Sequence, residues 1–126
     1  MNIIREACVG SVEQAMIAEK RKADRVELCS RLDLDGLTPD RKIIERTMNL
    51  LSIPVKVMIR PKSGNFIYSK QDILKMESEI DFCKKIGVSE VVFGILNENS
   101  EVDIVLTSAI AKKAAPMDIT FHKAID

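Results

Sequence analysis

The sequence lacks tryptophan, has few aromatic residues, and shows neither an excess of charge nor a long apolar run. Aromatic residues make up 4% of the 126 residues, which argues against a site that stacks sugars or bases on rings. Lys plus Arg and Asp plus Glu both number 19, so the basic excess of a nucleic-acid-binding surface is missing. No apolar stretch approaches the roughly 18 residues of a membrane span. We therefore expect neither nucleic acid nor a membrane among its partners.

Cysteine is also scarce, and its placement excludes a disulfide framework. Cys8, Cys29 and Cys83 are the three cysteines, and their spacing is irregular. The first residues do not show the basic segment and long apolar segment of a secretory signal. Reduced thiols without a secretory signal are typical of a cytoplasmic protein, and we expect that location here.

Apolar runs of strand length alternate with amphipathic stretches of helix length along the whole chain. The pattern predicts strands at 3–8, 25–29, 55–59, 90–94 and 118–121, with four helices between them. Such alternation implies parallel strands joined by right-handed helical crossovers. No linker divides the chain, so we treat residues 1–126 as one α/β domain. A (β/α)8 TIM barrel takes roughly 250 residues, and the pattern corresponds to the first half of such a barrel or slightly more.

Chemically versatile side chains collect where the predicted strands end. The residues in these positions are Glu6, Cys8, Glu27, Cys29, Arg60 and His122. The first two strands both end in Glu-x-Cys, and residues two apart on a strand face the same side of the sheet. Because function gathers at the carboxyl ends of parallel strands, we expect these residues to share a site.

Several motifs together resemble the CutC family of copper homeostasis proteins. They lie at 27–30 (ELCS), 36–39 (GLTP), 57–61 (VMIRP), 64–69 (GNFIYS), 92–94 (VFG) and 120–126 (TFHKAID). The likeness covers the whole chain, with the motifs in matching order. It implies a TIM-barrel fold, a cytoplasmic location and a longer protein whose last strands are missing here. Lys62 and Ser63 stand where the family usually has a second Arg and a second Gly, which weakens any anion-cradling role for that loop.

The resemblance implies copper binding at two of these positions. Cys8 and Cys29 fall where the family carries the cysteines proposed to bind Cu(I), and soft thiolates select Cu(I). Neighbouring parallel strands lie about 4.8 Å apart, so two inward thiols at one level would clamp a two-coordinate ion. The alternative is that both are small buried apolar residues. Cys83 lies on a predicted helix face, and we expect it in the core.

The competing hypothesis is an enzyme that acts on a small anionic metabolite as its ligand. Its catalytic residues would be Glu6, Glu27, Arg60 and His122, with His122 as a general acid or base. Facing carboxylates raise each other's pKa and make a proton-transfer pair. Alternatively, Arg60 neutralises the two carboxylates in a buried ion-pair network. Copper binding needs the thiols, whereas the enzyme needs the Glu, Arg and His residues.

The predicted sheet has two open edges. Proteins normally cover such edges because they pair readily with other strands. We therefore expect either a longer protein of which this sequence is part, or a homo-oligomer that pairs chains through these edges.

Overall fold

The computed structural model describes residues 3–121, which form a five-stranded sheet and four α-helices. The strands are β1 (Glu6–Val9), β2 (Arg25–Leu28), β3 (Val55–Met58), β4 (Glu90–Phe93) and β5 (Asp118–Phe121). The helices are α1 (Val12–Lys20), α2 (Arg41–Leu50), α3 (Lys70–Lys85) and α4 (Ile104–Ala114). The predicted βα alternation is confirmed. The largest difference is at the first strand, which begins at Glu6 rather than at residue 3.

The sheet is parallel throughout, and its strands lie side by side in chain order from β1 to β5. A sheet that winds in one direction places all its right-handed crossovers on one face. A doubly wound sheet instead reverses direction and carries helices on both faces. The described chain therefore forms an arc of a (β/α)8 barrel, with the helices on its outer side. Within residues 3–121, no helix is both long enough and apolar enough for a membrane span.

The main core lies between the sheet and the helices. Alternate strand residues such as Val26, Leu28 and Phe93 are fully buried in it. Each such side chain contributes about 1.5–3 kcal/mol by leaving water. Cys83 of α3 is also fully buried here, so its predicted place in the core is confirmed.

Polar side chains set the starts of the four helices. Ser11, Asp40, Ser69 and Asp103 each accept a hydrogen bond from a backbone N–H in the first turn of α1, α2, α3 and α4, respectively. Ser69 and Asp72 also form a reciprocal capping box. These interactions are local in sequence, which is why the helix starts were predictable from it.

The opposite face of the sheet would line the interior of a complete barrel, and we call it the inner face. The strand register brings Cys8, Glu27, Lys56, Glu90 and Asp118 into one row across the five strands. Residues paired in a parallel sheet point to the same side. A row of thiol, carboxylate and ammonium groups on this face marks it as the place where a polar site is built.

One apolar residue of α3 departs from the sequence pattern. That pattern predicts an inner side formed mostly by Ile73, Leu74, Met76, Ile80, Phe82 and Cys83. Leu74, however, is 58% exposed. The core side of α3 is set by Met76, Ile80 and Cys83, which are all fully buried. An α-helix has 3.6 residues per turn, so Leu74, two residues before Met76, lies on the other side of the helix from these buried residues.

This difference predicts unequal costs for two matched truncations in α3. Ile80→Ala should lower the free energy of unfolding by about 2–5 kcal/mol, because it leaves a cavity in the core. Leu74→Ala should change it by less than about 0.5 kcal/mol, as expected for a surface position. Urea denaturation of both variants measures the two values, and equal losses would contradict the assigned helix face.

Candidate functional site

A pocket of about 300 Å³ opens on the inner face at the carboxyl ends of the strands. Its walls include Glu6, Cys8, Glu27, Cys29 and Arg60, so the structure brings five of the six predicted site residues together. The sixth, His122, lies outside the described residues. The chemical roles proposed for these residues remain predictions.

The two pocket thiols are in contact. The Sγ atoms of Cys8 and Cys29 lie 3.8 Å apart. Cys8 is exposed on the open inner face, whereas Cys29 is buried. The two thiols are not direct neighbours in the strand register, because Cys8 pairs with Glu27 and Cys29 comes two residues later. The strands of a barrel are staggered, so equivalent positions in neighbouring strands are offset.

A glycine loop covers the buried thiol. Gly36 has a φ of +93°, a backbone conformation that side chains rarely adopt. A Cβ atom at this position would lie 3.4 Å from Sγ of Cys29 and 3.6 Å from Cε of Met58. Two backbone hydrogen bonds between Ser30 and Leu37, of 2.9 and 2.7 Å, hold the loop closed. The loop therefore packs against Cys29 and shields it from solvent.

Both thiols are weak acids, Cys29 because it is buried and Cys8 because it is partly withdrawn from solvent. Burial raises the pKa of Cys29 to about 12, and the neighbouring Cys8 adds to this effect. The pKa of Cys8 is also raised, first by burial and then by the carboxylates of Glu27 and Glu6, although its contact with Cys29 acts in the opposite direction. Both side chains are thus protonated thiols at neutral pH. Any metal that binds them as thiolates must displace their protons.

Charged residues on the inner face form a network that crosses the sheet. Lys56 is 5% exposed, and its Nζ lies 3.0 Å from Oε1 of Glu6 and 3.0 Å from Oε2 of Glu90. Arg25 Nε donates to the same Glu6 oxygen at 2.6 Å, and the Thr120 hydroxyl donates to Glu90. We call these five residues the inner-face network.

The alternative in which Arg60 neutralises both Glu6 and Glu27 is wrong for Glu6, whose carboxylate contacts Lys56 and Arg25 instead. Lys56 stands in the same register row as Glu27 and Glu90, whereas Arg60 follows four residues later. Lys56 was not among the predicted site residues. The sequence does point to it, because Lys56 is the single charged residue inside the apolar strand β3. It also lies two residues before Met58 and four before Arg60, and all three residues line the pocket.

The carboxyl groups near Lys56 have different acidities. Burial raises the pKa of Glu27, repulsion by Glu6 raises it further, and Lys56 only partly compensates. Burial also acts to raise the pKa of Glu90, but hydrogen bonds from Thr120 and Lys56 outweigh it and the net shift is downward. Glu27 thus keeps its proton to a higher pH than an ordinary glutamate does, whereas Glu90 loses its proton at a lower pH.

Arg60 occupies a different part of the pocket wall and is 4% exposed. Its Nη1 donates to the carbonyls of Leu34 and Gly36 at 2.8 and 3.1 Å, and its Nη2 donates to the carbonyl of Gly64 at 2.9 Å. The guanidinium carbon lies 4.8 Å from the centre of the Phe66 ring. Nε is buried and has no hydrogen-bond partner.

The fold and the pocket define a class: proteins of the (β/α)8-barrel type with a site at the carboxyl ends of the strands. Residues 3–126 match the model of the CutC family, and the chain belongs to that family. The resemblance seen in the sequence motifs is thereby confirmed.

Relatives and solved structures agree with this assignment. A CutC family protein from Glaesserella parasuis is 40% identical over 121 residues, covering 96% of this chain and 50% of that protein. The human copper homeostasis protein cutC homolog is 41% identical over 123 residues, covering 98% of this chain and 45% of that protein. The chain thus spans about half the length of these relatives.

The structural comparison supports the same family. The crystal structure of CutC from Streptococcus agalactiae superimposes with a TM-score of 0.92 at 31% identity, covering 98% of this chain and 60% of that chain. A structure from Burkholderia cenocepacia, at 16% identity and a TM-score of 0.61, shares the fold alone.

The inner-face network predicts a large penalty for removing its central cation. Lys56→Met should lower the free energy of unfolding by roughly 3–5 kcal/mol, because it removes the buried cation that Glu6 and Glu90 share and leaves Glu90 without an ion-pair partner in the network. The matched control is Lys62→Met, which removes a half-exposed lysine 3.9 Å from Asp72 and should cost less than about 1 kcal/mol. Chemical denaturation at neutral pH measures both. A small loss in Lys56→Met would mean that the network contributes little.

The raised pKa of Glu27 predicts a pH-dependent effect on stability. The stability associated with this group is fully present below its ordinary pKa of 4.5 and is lost as the pH rises through the raised value. Glu27→Gln should therefore make the protein more stable at neutral pH, with little gain below pH 4.5. Glu98→Gln, on an exposed loop, is the control. Urea denaturation across this pH range would contradict the assignment if the gain grew as the pH fell.

Proposed function

We propose that this protein serves copper homeostasis in the cytoplasm by binding Cu(I) through Cys8 and Cys29. The observation that carries the proposal is the 3.8 Å separation of the two Sγ atoms inside a pocket at the strand ends. The name of the human relative supports copper as the metal.

The donor set fits a soft monovalent ion. Thiolates select Cu(I), whereas oxygen ligands suit harder ions. Structural zinc sites take four ligands, and among residues 3–121 no three Cys, His, Asp or Glu side chains are grouped to hold a metal ion. A two-thiol pair therefore favours an ion that accepts low coordination.

The surroundings of the thiols set the charge balance of binding. Two neutral thiols that take up one Cu(I) as thiolates leave the pocket one unit more negative. Glu27 opposes this less than an ordinary carboxylate would, because its raised pKa favours the neutral form. The loop at Gly36 covers Cys29 and keeps water from the buried sulfur.

The test is an anaerobic Cu(I) titration against a competing chelator. The parent protein should hold one equivalent, and the Cys8→Ser/Cys29→Ser double variant should lose it. Cys83→Ala should bind like the parent, because Cys83 lies in the core on the other side of the sheet. The apparent affinity of the parent should rise with pH by up to about 100-fold per unit, since both thiols must release protons. Equal, weak binding by the parent and the double variant would overturn the proposal.

A second candidate is an enzyme that acts on a small anionic metabolite with Glu6, Glu27, Arg60 and His122. The observation in its favour is that the raised pKa of Glu27 and the unpartnered Nε of Arg60 share one pocket of about 300 Å³. This volume lies at the lower end of the range of small-ligand sites. Activity that survives in the Cys8→Ser/Cys29→Ser variant would distinguish this candidate from copper handling.

A further inference from the structure

Arg60 differs from the other two cations near the pocket. Lys56 and Arg25 both contact carboxylates, at 3.0 and 2.6 Å. Arg60 is almost completely buried, and it takes part in none of the ion pairs of the inner-face network. Burying a charge is costly unless it is paired and hydrogen-bonded. Among the described residues, three backbone carbonyls and the Phe66 ring hold this cation in place.

We propose that Arg60 anchors the oxyanion group, a carboxylate or a phosphate, of a small-molecule ligand that enters the pocket. This inference deepens the second candidate function by naming the part of its ligand that the protein recognises. It does not depend on copper.

The hydrogen-bonding pattern of Arg60 supports this role. Nη1 is used by the carbonyls of Leu34 and Gly36, which orient the guanidinium plane. Nε has no partner, and Nη2 donates to Gly64 but carries a second N–H. An oxyanion that accepts from the second Nη2 N–H would meet the guanidinium charge without displacing any of the three carbonyls. Arginine is the residue best suited to such planar recognition.

A buried hydroxyl lies beside Arg60. Burial raises the pKa of Tyr68 to about 12, although the charge of Arg60 and hydrogen bonding to it act in the opposite direction. Tyr68 therefore remains a neutral hydroxyl beside the guanidinium. This hydroxyl therefore adds no negative charge beside Arg60.

The rest of the pocket restricts the ligand to one anionic end. Glu6 and Glu27 line the same cavity and would repel a second anionic group. Lys56 is already engaged by Glu6 and Glu90 and offers no free ion pair. The carboxyl groups instead suit a hydrogen-bond donor such as a hydroxyl group. The ligand class is thus a small organic acid or phosphate ester with a hydrogen-bond donor at its other end.

The direct test observes the Arg60 Nε–H signal by NMR in protein labelled with ¹⁵N-arginine. Inorganic phosphate and acetate are titrated separately, with sodium chloride holding the ionic strength constant. Arg60→Lys identifies the signal by its disappearance, and Arg31→Lys identifies a control signal from an exposed arginine that is paired with Asp33. We expect a saturable shift of the Arg60 signal with at least one anion, at a Kd on the order of millimolar, and none for Arg31.

The outcomes separate this inference from both proposed functions. A saturable shift that persists in the Cys8→Ser/Cys29→Ser variant supports an anion subsite independent of the thiols. A larger response to phosphate or to acetate identifies the preferred group. If neither anion moves the Arg60 signal beyond the sodium chloride control, the inference is overturned, while an enzyme with an uncharged substrate and the copper site both stand. If the Arg60 signal shifts but the protein converts no small organic acid or phosphate ester, the second candidate alone is overturned.

Discussion

Lys56 is the residue on which the inner face of this sheet depends. Its ammonium group joins Glu6 of β1 to Glu90 of β4, and the network continues to Arg25 of β2 and Thr120 of β5. Each of the five strands contributes one member. The desolvation penalty of a buried ion pair often matches its Coulombic gain, so the network need not add net stability. Its effect is on register, because a slip of one residue would turn these charges toward the apolar core.

The network also determines which groups remain for chemistry. By pairing Glu6 and Glu90, it leaves Glu27 as the carboxyl group with a raised pKa. Arg60 takes no part in the network, and its buried Nε–H has no hydrogen-bond partner. The thiols of Cys8 and Cys29 lie at the side of the same pocket, next to Glu27. One pocket thus combines two thiols with the guanidinium group of Arg60. The proposed copper binding uses the thiols, whereas the proposed enzyme uses the guanidinium group.

Much of this arrangement was accessible from the sequence because it depends on local rules. Residues two apart on a strand share a face, so Glu27 and Cys29 were correctly placed together. Parallel strands end at the same edge, so Arg60 was correctly placed near them. The family motifs then identified the CutC family, to which the chain belongs. Leu74 was misplaced because several apolar residues in α3 left more than one choice of buried stripe.

The sequence by itself determined the order of strands and helices, the capped helix starts and five residues of the pocket wall. These follow from periodicity and from short-range hydrogen bonds, which act over a few residues. The tertiary structure alone decided that Lys56 rather than Arg60 pairs with Glu6, and that Cys8 lies in register with Glu27 rather than with Cys29. The reason is the stagger between neighbouring strands, which depends on contacts between residues far apart in the chain and leaves no trace in local sequence pattern.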